Sequence, residues 1–186
     1  AGLEERLDAG LSINGISSVA SFFISRVDAE VDKRLDLIGT PTALALRGRA
    51  AIAQAKLAYE RFRTTFSGER WEKLAQQGAS VQRPLWASTS TKNPSYPDTL
   101  YVDELIGHDS VNTLPDATLE AFADHGTLRT TIDQNVHESH RVWVALAEVG
   151  VDMDDVARQL EDEGVLSFQK SFDELLAALS DKAQTF

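Results

Sequence analysis

Gly15-Ile16-Ser17-Ser18-Val19-Ala20-Ser21-Phe22-Phe23-Ile24 is rich in β-branched and aromatic residues and carries no charge. A strand with one solvated face alternates apolar and polar residues. An uncharged, largely apolar run reads instead as a strand buried on both faces, as in a parallel sheet. The flanking sequence supports the same class. A charged helical stretch over 27–38 is broken at Gly39-Thr40-Pro41. Residues 43–66 then read as the longest helix, with Ile52, Ala55, Tyr59, Phe62 and Phe66 on one stripe.

After a further turn or two of helix over 69–77, a second short, mostly apolar strand lies within 81–89. A polar loop with two prolines follows over 90–98, then a short helix over 100–106 and a third strand over 110–114. Thr113-Leu114-Pro115-Asp116 reads as a helix start with Thr113 as cap. Gly126, just after His125, stands where a left-handed C-cap belongs. From Thr131 the pattern is helical: one helix to Val149, a short acidic one over 154–163, and a last one opened by the capping box Ser171-Phe172-Asp173-Glu174.

Strands alternating with helices give an α/β protein with a parallel sheet. Three strands fall short of the eight strands and ~250 residues of a closed (β/α)8 barrel, so as a barrel the chain is incomplete. Its start agrees: Leu3-Glu4-Glu5-Arg6-Leu7 is helical with no capping residue before it, and reads as a cut within a helix that Gly10 ends.

The 186 residues suffice for one domain with a substantial core. No apolar run approaches the ~20 residues of a membrane-spanning helix, and the first residues lack the layout of a signal peptide. The absence of cysteine removes disulfides, thiolate catalysis and cysteine-ligated zinc, and fits a reducing cytosol. A net charge of −11 opposes binding to nucleic acid or anionic lipid. A phosphate ester would need local positive charge set against that field.

Two stretches carry candidate chemistry. Trp86-Ala87-Ser88-Thr89-Ser90-Thr91-Lys92-Asn93-Pro94 puts hydroxyls, an amide and an ammonium directly after a strand, where groups converge in parallel α/β proteins. Such donors suit a phosphate monoester; a solvated polar loop with a surface lysine is the other reading. In Ser21-Phe22-Phe23-Ile24-Ser25-Arg26, Arg26 either forms half of an anion clamp or pairs with Asp28 or Glu30 on the surface. His137-Glu138-Ser139-His140 is not a metalloprotease motif, because its histidines stand at i and i+3; it reads as an exposed helix face. Asp152, Asp154 and Asp155 lack the glycine and terminal glutamate of a calcium loop and read as helix-start residues. No dinucleotide or P-loop fingerprint occurs.

Val19-Ala20-Ser21-Phe22-Phe23-Ile24-Ser25-Arg26-Val27-Asp28, followed by Asp32-Lys33-Arg34-Leu35, resembles the sixth-strand segment of bacterial transaldolases. Arg83-Pro84-Leu85-Trp86-Ala87-Ser88-Thr89, continuing through Lys92-Asn93-Pro94 to Tyr96-Pro97-Asp98-Thr99-Leu100-Tyr101-Val102, resembles their seventh-strand motif. Val111-Asn112-Thr113-Leu114-Pro115 resembles the eighth strand. Ala123-Asp124-His125-Gly126 and Leu160-Glu161-Asp162-Glu163-Gly164-Val165 resemble the tail of a subgroup that also occurs fused to a glucose-6-phosphate isomerase domain. The resemblance covers essentially the whole chain.

It implies that residues 1–186 are the C-terminal part of a single TIM (β/α)8 barrel domain, about strands six to eight with the C-terminal helices. It implies a cytoplasmic transferase of the pentose phosphate pathway that moves a dihydroxyacetone unit between sugar phosphates through a lysine imine, without a cofactor or metal. Fructose 6-phosphate, sedoheptulose 7-phosphate, erythrose 4-phosphate and glyceraldehyde 3-phosphate are the implied substrates, and the N-terminal half of the barrel the implied partner. By the same resemblance Ser21 lines the substrate pocket, and Arg26 and Ser88 bind phosphate. Lys92 falls near a phosphate-binding arginine of other branches. The imine lysine and its acid/base carboxylates match nothing in this chain, so no catalytic residue is expected here. Two other readings stand beside this one: another class I aldolase with Lys92 as nucleophile, and a non-catalytic phosphosugar-binding fragment.

Overall fold

In the computed structural model, which describes residues 1–183, β1 (Ser18–Phe23), β2 (Gln82–Ala87) and β3 (Val111–Asn112) form one parallel sheet in the order β1-β2-β3. β1 pairs with β2 from Ser18↔Gln82 to Phe23↔Ala87, and β2 with β3 at Leu85↔Val111 and Trp86↔Asn112. The α/β alternation read from the sequence is therefore present. Pro84 sits in the central strand, where a missing N–H is normally costly. Thr113 N donates to Trp86 O, so Trp86, and with it Pro84 two residues earlier, turns its backbone groups toward β3. Since β3 begins opposite Leu85, Pro84 faces no ladder partner and no bond is lost.

β1 is not buried on both faces. Phe22 packs on the fully buried Trp86, with ring centroids 5.6 Å apart, while Val19, Ser21 and Phe23 on the opposite face are exposed. Burying both faces requires a covering layer on each side, and among the described residues only one face has it.

The connections explain the packing. After α1 (Gly2–Asp8) and β1, the chain enters α2 (Ile24–Ile38), which buries Ile24, Val27, Val31 and Leu35 and ends at Gly39 in a left-handed C-cap. α3 (Pro41–Leu44) is capped by Thr40, whose hydroxyl accepts from Ala43 N. The expected helix over 43–66 is thus two pieces, because residues 45–49 turn at Gly48 (φ 69°) before α4 (Ala50–Thr65). α5 (Gly68–Ala75) leads into β2, and beyond β2 come α6 (Leu100–Asp103), α7 (Asp116–His125), α8 (Val136–Glu148) and α9 (Met153–Ala183). α2 and α4 share a core with Trp86, Tyr101, Ile132, Val142 and Leu146.

Three other expectations are corrected. Thr113 does not cap α7: its amide and hydroxyl both donate to Trp86 O, and Pro115 holds the N-cap position. Gly126 is extended (φ −66°, ψ 160°) rather than left-handed. The two helices expected after residue 153 are one, α9. Gly164 lies inside it, since a lone glycine weakens a helix without ending it, and Ser171 is an interior residue rather than a cap. The start of α9 is held by Asp152, whose Oδ1 accepts from Asp154 N and Asp155 N at 2.9 and 3.0 Å.

Candidate functional site

A parallel sheet brings the carboxyl ends of its strands to one edge. β1 passes directly into α2 at Ile24, so Ser25 and Arg26 lie in the first turn of the helix rather than at the end of the strand. Phe23, the N-cap residue, has no side chain that can accept a hydrogen bond, and no side chain caps α2. Ser25 N donates instead to Ser88 O at 3.0 Å, and the two serine Oγ atoms are 2.9 Å apart. Ser88 follows β2 in a left-handed backbone conformation (φ 58°), uncommon for a residue other than glycine, asparagine or aspartate. One residue on, the buried Thr89 hydroxyl reaches Asn112 Oδ1 (2.9 Å) and Thr113 O (3.2 Å), which ties the ends of β2 and β3 together.

The four site residues expected from sequence fall as follows. Ser88 is joined to the first turn of α2 through Ser25. Arg26 is exposed on that turn, its guanidinium 4.8 Å from the centre of the Phe23 ring. Ser21 lies exposed on β1, in register with Leu85. Lys92 is exposed in the loop after β2 and donates to Ser90 Oγ at 3.0 Å. Among the described residues, Ser21 and Lys92 make no hydrogen bond to Arg26 or Ser88.

Arg26 forms no surface pair with Asp28 or Glu30. Asp28 turns inward, and Glu30 accepts from Lys33 and Arg34. Most other basic side chains are tied to carboxylates, among them Arg47 to Asp36, Arg49 to Glu138, Lys56 to Glu104 and Arg70 to Glu4. Arg26 and Lys92 have no acidic partner among the described residues.

Beside this edge a cleft of about 290 Å³ is lined by Ser25, Asp28, Asp32, Lys92, Asn93, Tyr96 and Tyr101. Asp28 is fully buried, and burial pushes its carboxyl up to about 6 despite the bonds it accepts from Ala51 N and the Tyr101 hydroxyl. Burial, then the bond to Asp32, pushes Tyr96 up to about 12; burial and Asp28 also raise Tyr101. Sequence reasoning missed Ser25, Asp28, Asp32 and Tyr96 as parts of this edge. A signal was present: Asp28 and Asp32 stand at helical spacing among Ile24, Val27, Val31 and Leu35, acidic residues on an apolar face.

Chemically, the edge offers donors beside its buried carboxylates: first-turn amides of α2 other than that of Ser25, a serine hydroxyl, a guanidinium and an ammonium. Such a set complements an anion. No group of three or more His, Asp or Glu side chains among the described residues is placed to hold a metal ion. His137 and His140 are exposed on α8, and His140 meets Glu60 at 2.9 Å.

The sequence model of the Transaldolase/Fructose-6-phosphate aldolase family matches residues 4–179. The chain is similar to a protein named transaldolase from Frankia alni, 54% identical over 182 residues that cover 97% of this chain and 49% of the relative. A transaldolase from Parafrankia sp. is 57% identical over the same shares, and one from Mycolicibacterium smegmatis is 53% identical over 95% of this chain and 48% of its own length. The chain spans about half the length of these curated relatives. The chain belongs to the transaldolase/fructose-6-phosphate aldolase family.

Proposed function

We propose that residues 1–186 form the C-terminal part of one (β/α)8 barrel domain, contributing strands six to eight, and that this part holds the sugar phosphate in a transaldolase. The full-length protein transfers a dihydroxyacetone unit from fructose 6-phosphate or sedoheptulose 7-phosphate to glyceraldehyde 3-phosphate or erythrose 4-phosphate, in the cytoplasmic pentose phosphate pathway. An imine on a lysine contributed by the N-terminal half, its partner across the barrel, carries that unit. Family membership supports the reaction. The observation that carries the division of labour is the start of α2, where the exposed Arg26, without an acidic partner among the described residues, stands next to the Ser25–Ser88 contact.

In this reading Arg26 forks onto the phosphate oxygens, the first-turn amides of α2 not taken by Ser88 O face the same charge, and Ser88 donates its hydroxyl. Lys92 adds a point charge from the loop, and Ser21 lines the sugar-binding face. Lys92 is a poor imine former. A lysine that attacks a carbonyl must be neutral, which burial or an adjacent cation brings about. Lys92 is exposed beside Ser90.

The test is borohydride trapping of the full-length protein with fructose 6-phosphate, followed by peptide mapping. The adduct is expected on a lysine N-terminal to Ala1, with Lys33, Lys56, Lys73, Lys92, Lys170 and Lys182 unmodified. An adduct on Lys92 would overturn the assignment and establish the aldolase reading with that nucleophile. Phosphosugar binding with no adduct and no turnover would establish the non-catalytic one.

A further inference from the structure

Tyr96 stands four residues beyond Lys92, and its hydroxyl donates to Asp32 Oδ2 at 2.5 Å. The other oxygen of Asp32 accepts from Gly48 N at 2.9 Å. Gly48 has a left-handed backbone (φ 69°), and a Cβ placed on it would lie 2.7 Å from Tyr96 Cζ. The end of the tyrosine ring therefore fills the space that a side chain at residue 48 would occupy. One turn earlier on the same face of α2 the arrangement repeats. Asp28 accepts from Ala51 N at 2.8 Å and from the Tyr101 hydroxyl at 2.7 Å. Two carboxylates at i and i+4 each join an amide near the start of α4 to a tyrosine from the chain after β2.

The short piece between Lys92 and Tyr96 is itself a tight turn. Tyr96 N donates to Asn93 O at 3.1 Å, and Ser95 N to Asn93 Oδ1 at 2.9 Å. Whatever fixes Tyr96 thus fixes Asn93, the neighbour of Lys92. We infer that Tyr96 and Asp32 are positioning residues: they latch the Lys92-bearing turn onto α2, so that Lys92 stands in fixed register with Ser25 and the start of α2, which line the same cleft, for an anion. This rests on the phosphate-site reading above. The physical gain is preorganisation, because a turn already ordered in the free protein loses less conformational freedom when the ligand arrives. The Tyr96 hydroxyl keeps its proton throughout the neutral range, since burial and Asp32 hold it at about 12.

The experiment titrates inorganic phosphate into the full-length protein by calorimetry, alongside unphosphorylated fructose and a urea midpoint for each variant. Tyr96→Phe is expected to weaken phosphate binding by about tenfold, on the scale of one hydrogen bond's net contribution, and to leave binding of fructose unchanged. Gly48→Ala displaces the ring without deleting a hydroxyl, and is expected to act in the same direction. Arg26→Ala tests the site independently. Should Gly48→Ala fail to fold, Tyr96→Phe decides. A lowered urea midpoint with unchanged phosphate affinity in Tyr96→Phe would make the contact purely structural and overturn the latch. Loss of affinity in Arg26→Ala but not in Tyr96→Phe would overturn the latch and leave the phosphate site standing. A wild-type protein that binds no phosphate would overturn both.

Discussion

Replacing Tyr101 with Phe removes one hydroxyl from a place where its partner has no substitute. Tyr101 and Asp28 are 1% and 2% exposed, and the hydroxyl donates to Asp28 Oδ2 at 2.7 Å. In the variant Asp28 keeps the backbone amides of Ala51, on its other oxygen, and of Ala50, but no side-chain donor. An orphaned buried acceptor that carries charge costs about 1.5–3 kcal/mol. The size depends on pH, because Asp28 has an escape: it can take up a proton.

The direction follows from linkage. The Asp28 carboxyl lies at about 6 in the folded protein against an ordinary value of 3.8. The folded state thus binds the proton more tightly, and Asp28's contribution to stability is fully present below 3.8 and lost as pH rises through about 6. That difference corresponds to about 3 kcal/mol for this group alone. Without the Tyr101 hydroxyl, which stabilises the charged form, the folded value rises above 6. The variant therefore continues to lose stability after the wild type has levelled off. Urea unfolding of the full-length protein at pH 5 and pH 8 measures this. The deficit of Tyr101→Phe is expected to be about 2 kcal/mol at pH 8 and well below 1 kcal/mol at pH 5. Equal deficits at the two pH values would refute the reasoning, as would a carboxyl resonance of Asp28 titrating near 3.8.

Other substitutions probe separate parts of the structure. Glu104→Ala leaves the buried ammonium of Lys56 with only the Gln134 carbonyl, and is expected to cost on the order of 3 kcal/mol; a urea midpoint within experimental scatter of wild type would sink that expectation. Gly164→Ala is expected to stabilise by about 1 kcal/mol, because the added methyl meets nothing within 4 Å inside a continuous α9; thermal unfolding that showed no gain would point to a break in the helix there. His125 is raised by Asp98 and then Asp124, so the contacts favour its charged form; their contribution is complete below 6.5 and fades as pH rises through the folded value. Asp98→Asn is expected to move the His125 titration, followed by NMR, down toward 6.5, and an unmoved titration would mean that the contact is not populated in solution.

What the sequence made legible follows from the range over which each signal acts. Strand runs announce themselves within a few residues: 16–24 by uncharged β-branched and aromatic residues after Gly15, and 82–87 by the apolar Pro84-Leu85-Trp86-Ala87 ahead of a polar turn. Helix ends were harder. Ser171-Phe172-Asp173-Glu174 has the composition of a capping box, yet the backbone around it is already helical, and a cap signal cannot override a helix propagating from Met153. Gly126 is compatible with a left-handed cap without requiring one. For the site, the residues at strand ends could be named from motifs. Their partners could not, because Ser25 meets Ser88 across 63 positions and Tyr96 meets Asp32 across 64. Those contacts depend on the phase of α2 relative to a loop of irregular backbone, which no local pattern encodes.

The phase of α2 also bears on the electrostatics of the candidate site. Arg26 lies in the first turn of a helix whose next residues include Asp28, Glu30 and Asp32, in a chain of net charge −11. A free carboxylate on any of them within reach would compete with an incoming anion for the guanidinium. Each is engaged elsewhere: Asp28 by Ala51 and Tyr101, Asp32 by Gly48 and Tyr96, Glu30 by Lys33 and Arg34. The contacts that hold the Lys92 turn against α2 therefore also turn acidic side chains away from Arg26. Removing Tyr96 would then act twice, loosening Lys92 and releasing an Asp32 oxygen. The second effect is electrostatic and screened by salt, with a Debye length of about 10 Å at 0.1 M, whereas the first is geometric. A phosphate-affinity loss in Tyr96→Phe that shrinks between low and high salt more than wild-type binding itself changes would isolate the electrostatic share.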